Sequence, residues 1–276
     1  MQRNEIELIF EENKEKFFKK IFHSEKPLAI LLGGQPACGK SILLKRAEKD
    51  HPNKDFLSVN GDLYRAFHPN VSELIKDSQN YSNETQIFSN VFTEKLIEEA
   101  IKRKSNIIVE GTMRNLDVPI NTTNLFKKAG YTVEVYAIAA PDLITQLGVY
   151  TRFLEEINKK GVGRLADMQV HNVAVNGLPK SLDALYRLKL VDKISLYTYL
   201  AEEKIKDFSL NNNSWNCLNL PSVFVDDSRK KQIQDKEILR SCIEKGEKFG
   251  KEVSNNEIKK EMSNALQKLK SSLLRK

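Results

Sequence analysis

A chain of 276 residues, 40% hydrophobic and 29% charged, has the length for one large domain with a full core and the composition of a globular protein rather than a disordered or fibrous one. Three widely spaced cysteines and four scattered histidines exclude a disulfide framework and a clustered metal site as organising features. The net charge of +7 is concentrated late in the chain, where residues 227–276 hold 14 of the 44 basic and 8 of the 37 acidic residues; the body is nearly neutral, which argues against nucleic acid as the partner.

The N-terminal stretch MQRNEIELIFEENKEKFFKKIF is too charged for a signal peptide and reads as an amphipathic helix over 1–22. Such a helix packs beside the body or shields a site in cis; packing is the expectation. No apolar run approaches the roughly 18–20 residues that span a bilayer, so a cytoplasmic protein with no membrane partner is expected. PLAILL (27–32) reads as a first strand and FLSVN (56–60) as a second. A helix follows over 83–103, with Ile87, Val91, Leu96, Ile97 and Ile101 near helical spacing and Asn83 with Gln86 as a capping box. NIIVE (106–110) is a third strand, and the helix over 120–129 stops at Gly130. TVEVYAIA (132–139) and KISLY (193–197) complete the strand set. The first, third and fourth of these runs are dense in Ile, Val, Leu and Ala, as in strands covered on both faces, and their alternation with helices implies a parallel sheet. The polar stretch LNNNSWNCLNLPS (210–222) reads as a loop. Beyond it Ile258, Met262, Leu266, Leu269 and Leu273 form one helical stripe, expected to pack on the body.

Between the first strand and the helix SILLKRAEK lies Gly34-Gln35-Pro36-Ala37-Cys38-Gly39-Lys40-Ser41, a match to G-x-x-x-x-G-K-[ST] without a mismatch. Its glycines let backbone N–H groups turn inward, and the helix N-terminus adds positive potential, which together suit a phosphate chain. Lys40 is expected to reach the β- and γ-phosphates and the Ser41 hydroxyl to ligate Mg²⁺. Asn-Lys-x-Asp, the guanine signature, does not occur late in the chain, so ATP is the expected nucleotide. Cys38 is expected to fill space beside the phosphates; the lesser alternative is a reactive thiol, since a helix N-terminus can lower a thiol's pKa. The fold class that follows is α/β: a P-loop kinase-type three-layer fold with a central, mainly parallel sheet and extra helices at both termini. Residues 1–225 are read as the kinase domain, with its core over about 26–200, and 226–276 as a charged helical C-terminal extension.

Phosphoryl transfer to an alcohol needs a carboxylate to orient or deprotonate the hydroxyl and cations around the moving phosphoryl group. Asp62 follows the second strand, at the sheet edge where ligands bind. Two roles stay open for it: catalytic base, or simple turn residue in NGD. The third strand ends in Glu110-Gly111-Thr112-Met113-Arg114, which offers Glu110 to Mg²⁺ through water and Thr112 and Arg114 to a substrate. Arg152 and Arg164 flank FLEEINKKGVG, a candidate lid carrying arginines for the γ-phosphate.

These motifs, in order and spacing, resemble the zeta toxin family of P-loop kinases from bacterial toxin–antitoxin systems. The resemblance is carried by GGQPACGKS, NGDLYRAFHPN, FTEKLI, VEGTMRNLDVPINT, YAIAAP, YTRFLEE, GRLADMQVHN and GLPKSLDAL over about residues 26–200. It implies phosphorylation of the 3′-hydroxyl of the sugar in UDP-N-acetylglucosamine, using ATP or GTP with Mg²⁺; a related P-loop kinase acting on NAD or another nucleotide, or a catalytically weak nucleotide-binding regulatory protein, stays open as the alternative. By the same resemblance Asp62 stands at the catalytic base, Lys40 and Ser41 take the P-loop roles, and Arg152 and Arg164 clamp the γ-phosphoryl group. Glu94, Thr112, Arg114 and Thr122 stand at nucleotide-sugar contacts. The resemblance also implies a small helical antitoxin that obstructs the nucleotide site.

Overall fold

Every residue of β1 (Leu28–Gly33) is buried, as an unbroken apolar run requires of a strand covered on both faces. The computed structural model describes residues 1–75, 81–161, 163–253 and 255–274. After β1 come β2 (Leu57–Val59), β3 (Ile107–Glu110), β4 (Thr132–Ile138) and β5 (Lys193–Tyr197), and these five strands run parallel to one another. β6 (Lys204–Asn211) returns antiparallel to β5 and turns into β7 (Ser214–Trp215). The seven-stranded sheet has the order β2-β3-β1-β4-β5-β6-β7. The strands expected from the sequence are therefore present within a residue or two of their bounds. β1 sits inside the sheet with β3 and β4 on either side, and its C-terminal tip opens toward the crevice where α/β sheets bind ligands.

The helices are α1 (Arg3–Phe18), α2 (Lys40–Asp50), α3 (Gly61–Tyr64), α4 (Val71–Leu74), α5 (Tyr81–Glu84), α6 (Gln86–Arg103), α7 (Asp117–Lys128), α8 (Asp142–Lys160), α9 (Met168–Arg187), α10 (Pro221–Gln232), α11 (Lys236–Gly250) and α12 (Asn256–Leu274). Alternate residues of β1 serve the two layers. Leu28, Ile30 and Leu32 meet Leu43 and Ala47 of α2, whereas Ala29 and Leu31 join the larger core with Phe92 and Leu96 of α6, Phe126 of α7 and Leu178 and Leu182 of α9. A third cluster stands apart from the sheet: Ile144, Leu147 and Phe153 of α8 pack on Leu239 and Ile243 of α11 and on Met262 and Leu269 of α12. The C-terminal stripe thus packs on the body, as its spacing predicts. The residue 225/226 division falls inside α10. Among the described residues no helix is long and apolar enough to cross a membrane.

α1 also packs rather than shields. Ile6, Phe10 and Phe18 are buried, and Phe10 and Phe17 enter an aromatic cluster with Tyr64, Phe67, Phe88 and Phe92. Two local expectations need correction. The helix over 83–103 is broken at Thr85, and the Asn83–Gln86 capping box does not form, because the Gln86 amide accepts from Arg65 Nη2 (2.9 Å) and donates to Asn90 (2.7 Å). Ile87 is exposed, since the aromatic cluster turns Phe88 and Phe92 inward instead. The stretch 210–222 is more ordered than its composition suggests: Asn212 and Asn213, at φ 47° and 61°, make the tight turn between β6 and β7.

Candidate active site

The phosphate loop begins where β1 ends and closes at the head of α2. Gly39, at φ 108°, is the turn into the helix, and a Cβ there would lie 2.7 Å from Leu200 Cα, so the position requires glycine on two grounds. The Leu200 N–H donates to the Cys38 carbonyl (3.0 Å), which closes the β5–β6 connection onto the loop. Lys40 Nζ donates to the carbonyls of Gly34 (3.0 Å) and Gln35 (3.3 Å) and lies 4.0 Å from Glu110 Oε1 at the tip of β3. Gln35 is fully buried and donates to the Ala140 carbonyl (2.8 Å) and to Thr145 Oγ1 (3.3 Å) of α8; Thr145 in turn meets His171 Nε2 of α9 (2.8 Å). Burial depresses the His171 pKa, which keeps the imidazole neutral within this brace. Cys38 is buried, as its space-filling reading expects, and burial pushes its thiol up despite nearby Lys40, so the alternative of an activated thiol is not supported.

Asp62 lies on α3, one strand away. The turn role is taken by Asn60, whose Oδ1 accepts the Asp62 N–H (3.0 Å), leaving the Asp62 carboxylate to other partners. That carboxylate pairs with Arg164 and with Arg65 Nε (3.3 Å). Burial acts to raise its pKa, but Arg164 and then Arg65 outweigh burial and hold the carboxyl below its ordinary value. Asn60 Nδ2 also donates to Glu110 Oε2 (2.8 Å). Lys40, Glu110, Asn60 and Asp62 therefore run in sequence across the C-terminal tips of β1, β3 and β2. Ser89 of α6 donates to the Gly61 carbonyl (2.7 Å), and Tyr64 anchors α3 in the aromatic cluster, so the carboxylate stands on a packed support.

The remaining sequence-predicted residues divide. Arg152 projects from α8, half exposed, with its Nε on Glu156 Oε1 (2.9 Å). Arg164 follows the candidate lid, of which Val162 lies outside the described residues. Glu110 at the end of β3 and Thr112 after it are half-buried, and Arg114 is exposed beyond Met113, whose carbonyl accepts from Ser181 Oγ (2.8 Å). Ser41 and Thr122 sit on α2 and α7. Glu94 is exposed on α6 and pairs with Arg3 of α1 (2.9 Å) rather than with any residue of the phosphate loop. Sequence reasoning missed Asn60, Glu156 and the Gln35–Thr145–His171 brace. Only Glu156 carries a readable signal, its i,i+4 spacing from Arg152.

The zeta toxin family profile matches residues 13–214 of the chain. A curated relative, Toxin zeta of Enterococcus hirae, is 29% identical over 214 residues, covering 77% of this chain and 71% of its own length. Toxin PezT of Streptococcus pneumoniae serotype 4 is 30% identical over 179 residues, covering 63% of this chain and 69% of its own. Among solved structures, one from the PezAT chromosomal toxin–antitoxin system of Streptococcus pneumoniae superposes with a TM-score of 0.70 at 22% identity, covering all of this chain and 98% of that one. A second, the AvrRxo1-ORF1:AvrRxo1-ORF2 complex with ATP, reaches 0.52 at 16% identity over 99% of this chain and 86% of the other. With a family match over most of its length and the phosphate loop intact at the tip of β1, the chain belongs to the zeta toxin family.

Proposed function

We propose that the chain is an ATP-dependent phosphotransferase that moves the γ-phosphoryl group to the 3′-hydroxyl of UDP-N-acetylglucosamine, removing a cell-wall precursor from use. The observation that carries this reading is the line Lys40–Glu110–Asn60–Asp62 along the strand tips, with Arg164 on the far side of Asp62. In the proposed reaction the acceptor oxygen bonds to Pγ, its proton passes to the Asp62 carboxylate, and the Pγ–O bond to the β-phosphate breaks with the electron pair leaving on ADP. A carboxylate held low by two arginines is fully ionised at neutral pH and takes that proton late, which suits a loose phosphoryl-transfer transition state. A guanidinium has five donors, so Arg164 can keep one edge on Asp62 and offer another to the γ-phosphoryl oxygens. Arg152 supplies a second cation from α8. Mg²⁺, when bound, spreads charge over the β- and γ-phosphates; the Ser41 hydroxyl in the first turn of α2 is the residue we assign to it, with Glu110 nearby.

Glu110, Thr112, Arg114 and Thr122 are the proposed contacts for the nucleotide sugar, whose diphosphate and hydroxyls suit guanidinium and hydroxyl partners. Glu94 joins them only by giving up Arg3. The partner we propose is a small helical antitoxin covering the nucleotide site, by likeness to the PezAT toxin–antitoxin system. The test is to incubate the protein with ATP, Mg²⁺ and a panel of nucleotide sugars, NAD and nucleosides, and to follow the masses. The reading predicts one added phosphate on UDP-N-acetylglucosamine, on the sugar 3′-oxygen. A phosphate on another panel member overturns the acceptor, and slow ATP hydrolysis with no phosphorylated product overturns the phosphotransferase.

A further inference from the structure

Glu156 stands between the two arginines of the candidate lid. Its Oε1 accepts from Arg152 Nε on the same helix (2.9 Å), and its Oε2 accepts the backbone N–H of Arg164, eight residues later (3.1 Å). Gly163, just before Arg164, lies back against α8. Gly161 turns the chain at φ 74°, and at Gly163 a Cβ would lie 2.7 Å from the Phe153 carbonyl and 3.0 Å from Ile157 Cγ1. Only a residue without a side chain allows the backbone this near to α8, and that approach brings the Arg164 N–H to Glu156. The Arg164 guanidinium then reaches Asp62. One carboxylate thus fixes the side chain of the first arginine and the backbone of the second.

We infer that Glu156 is a positioning residue that holds Arg164 against Asp62 through the Arg164 backbone and restrains Arg152 on the same helix. This rests on the phosphotransferase reading for its catalytic consequence but not for its geometry. Arg152 is half exposed, and the i,i+4 carboxylate biases its rotamers toward the paired one. The Arg164 N–H finds its acceptor in Glu156 Oε2. Glu155, the adjacent acid, cannot substitute, because it faces Lys159 (2.9 Å) and Lys245 of α11 (3.1 Å).

The groups facing Asp62 are Arg65 on its own turn, Tyr81 of α5 and Arg164. Loosening Arg164 therefore leaves burial opposed by Arg65 alone, and the Asp62 carboxyl titrates at higher pH. The experiment compares Glu156→Gln and Glu156→Ala with the wild type in the full chain, by carbon-13 NMR titration of the Asp62 carboxyl and by steady-state kinetics with ATP and Mg²⁺. Expected are an upward move of the Asp62 titration in both variants and a fall in kcat of about 10-fold or more, with ATP affinity changed far less. An Asp62 titration unmoved in a folded variant overturns the inference, as does a wild-type kcat. If Glu156→Ala fails to fold, the isosteric Glu156→Gln decides by the same titration. A wild-type protein that transfers no phosphate to any acceptor defeats the phosphotransferase reading, while the titration still decides the role of Glu156.

Discussion

Asp62 joins the chemistry and the electrostatics of this site most closely. Its carboxyl is pulled below the ordinary 3.8 by Arg164 and Arg65 against a burial effect of opposite sign. The sign of the pH dependence follows. In the proposed base role, a carboxyl with a lowered pKa stays ionised as pH falls until that lowered value is reached, so any acid limb that Asp62 sets on kcat/KM lies below the ordinary carboxylate range in the wild type. Arg164→Ala removes the main opposing charge, and the acid limb moves to higher pH while kcat falls. A pH–rate profile of that variant superimposable on the wild type, apart from scale, would show that Arg164 does not govern Asp62. Cys38 makes the complementary point. Its position at a helix N-terminus suggests activation, yet full burial dominates and the thiol is raised. Sequence gives the neighbours along the chain, whereas desolvation depends on Leu200 and α8 closing over the loop from elsewhere.

α8 is the element on which the site's outer half depends. Its inner end braces the phosphate loop through Thr145 and Gln35, its outer end carries Arg152 and Glu156, and its apolar face is held by α11 and α12. Leu269 of α12 is fully buried in that contact, so Leu269→Ala is expected to cost about 2–5 kcal/mol in chemical denaturation. A loss under about 0.5 kcal/mol would mean that α12 does not hold α8. The elements legible in the sequence are those with dense or periodic apolar residues: β1 to β5 and the stripe of α12. β6 was not legible because it is half-buried, with Phe208 inward and Lys204 outward, so no apolar run announces it. Its hairpin partner has two residues, and its turn is the Asn-rich stretch that reads as loop. The break between α5 and α6 was hidden for a different reason: Arg65, twenty residues away, claims both Thr85 Oγ1 (2.6 Å) and Gln86.

At the scale of the whole molecule, the phosphate loop, Asp62 and the two arginines come from four separated stretches of chain. Motif spacing marked each of them, and parallel topology explains why the loop after β1, the turn after β2 and the tip of β3 share one edge. What spacing did not reveal was the set of residues between them, Asn60 and Glu156, since an Asn in a turn and a Glu on a helix are commonplace until their partners are in view. The same holds for α1, whose aromatic side chains support the Asp62 turn from outside the family's motif-bearing core. The most direct test of the account is Asp62→Ala, with ATP affinity measured by calorimetry and phosphoryl transfer by single-turnover kinetics. The account predicts an affinity within about threefold of wild type and transfer slowed by roughly 10²-fold or more. Transfer near the wild-type rate would contradict it.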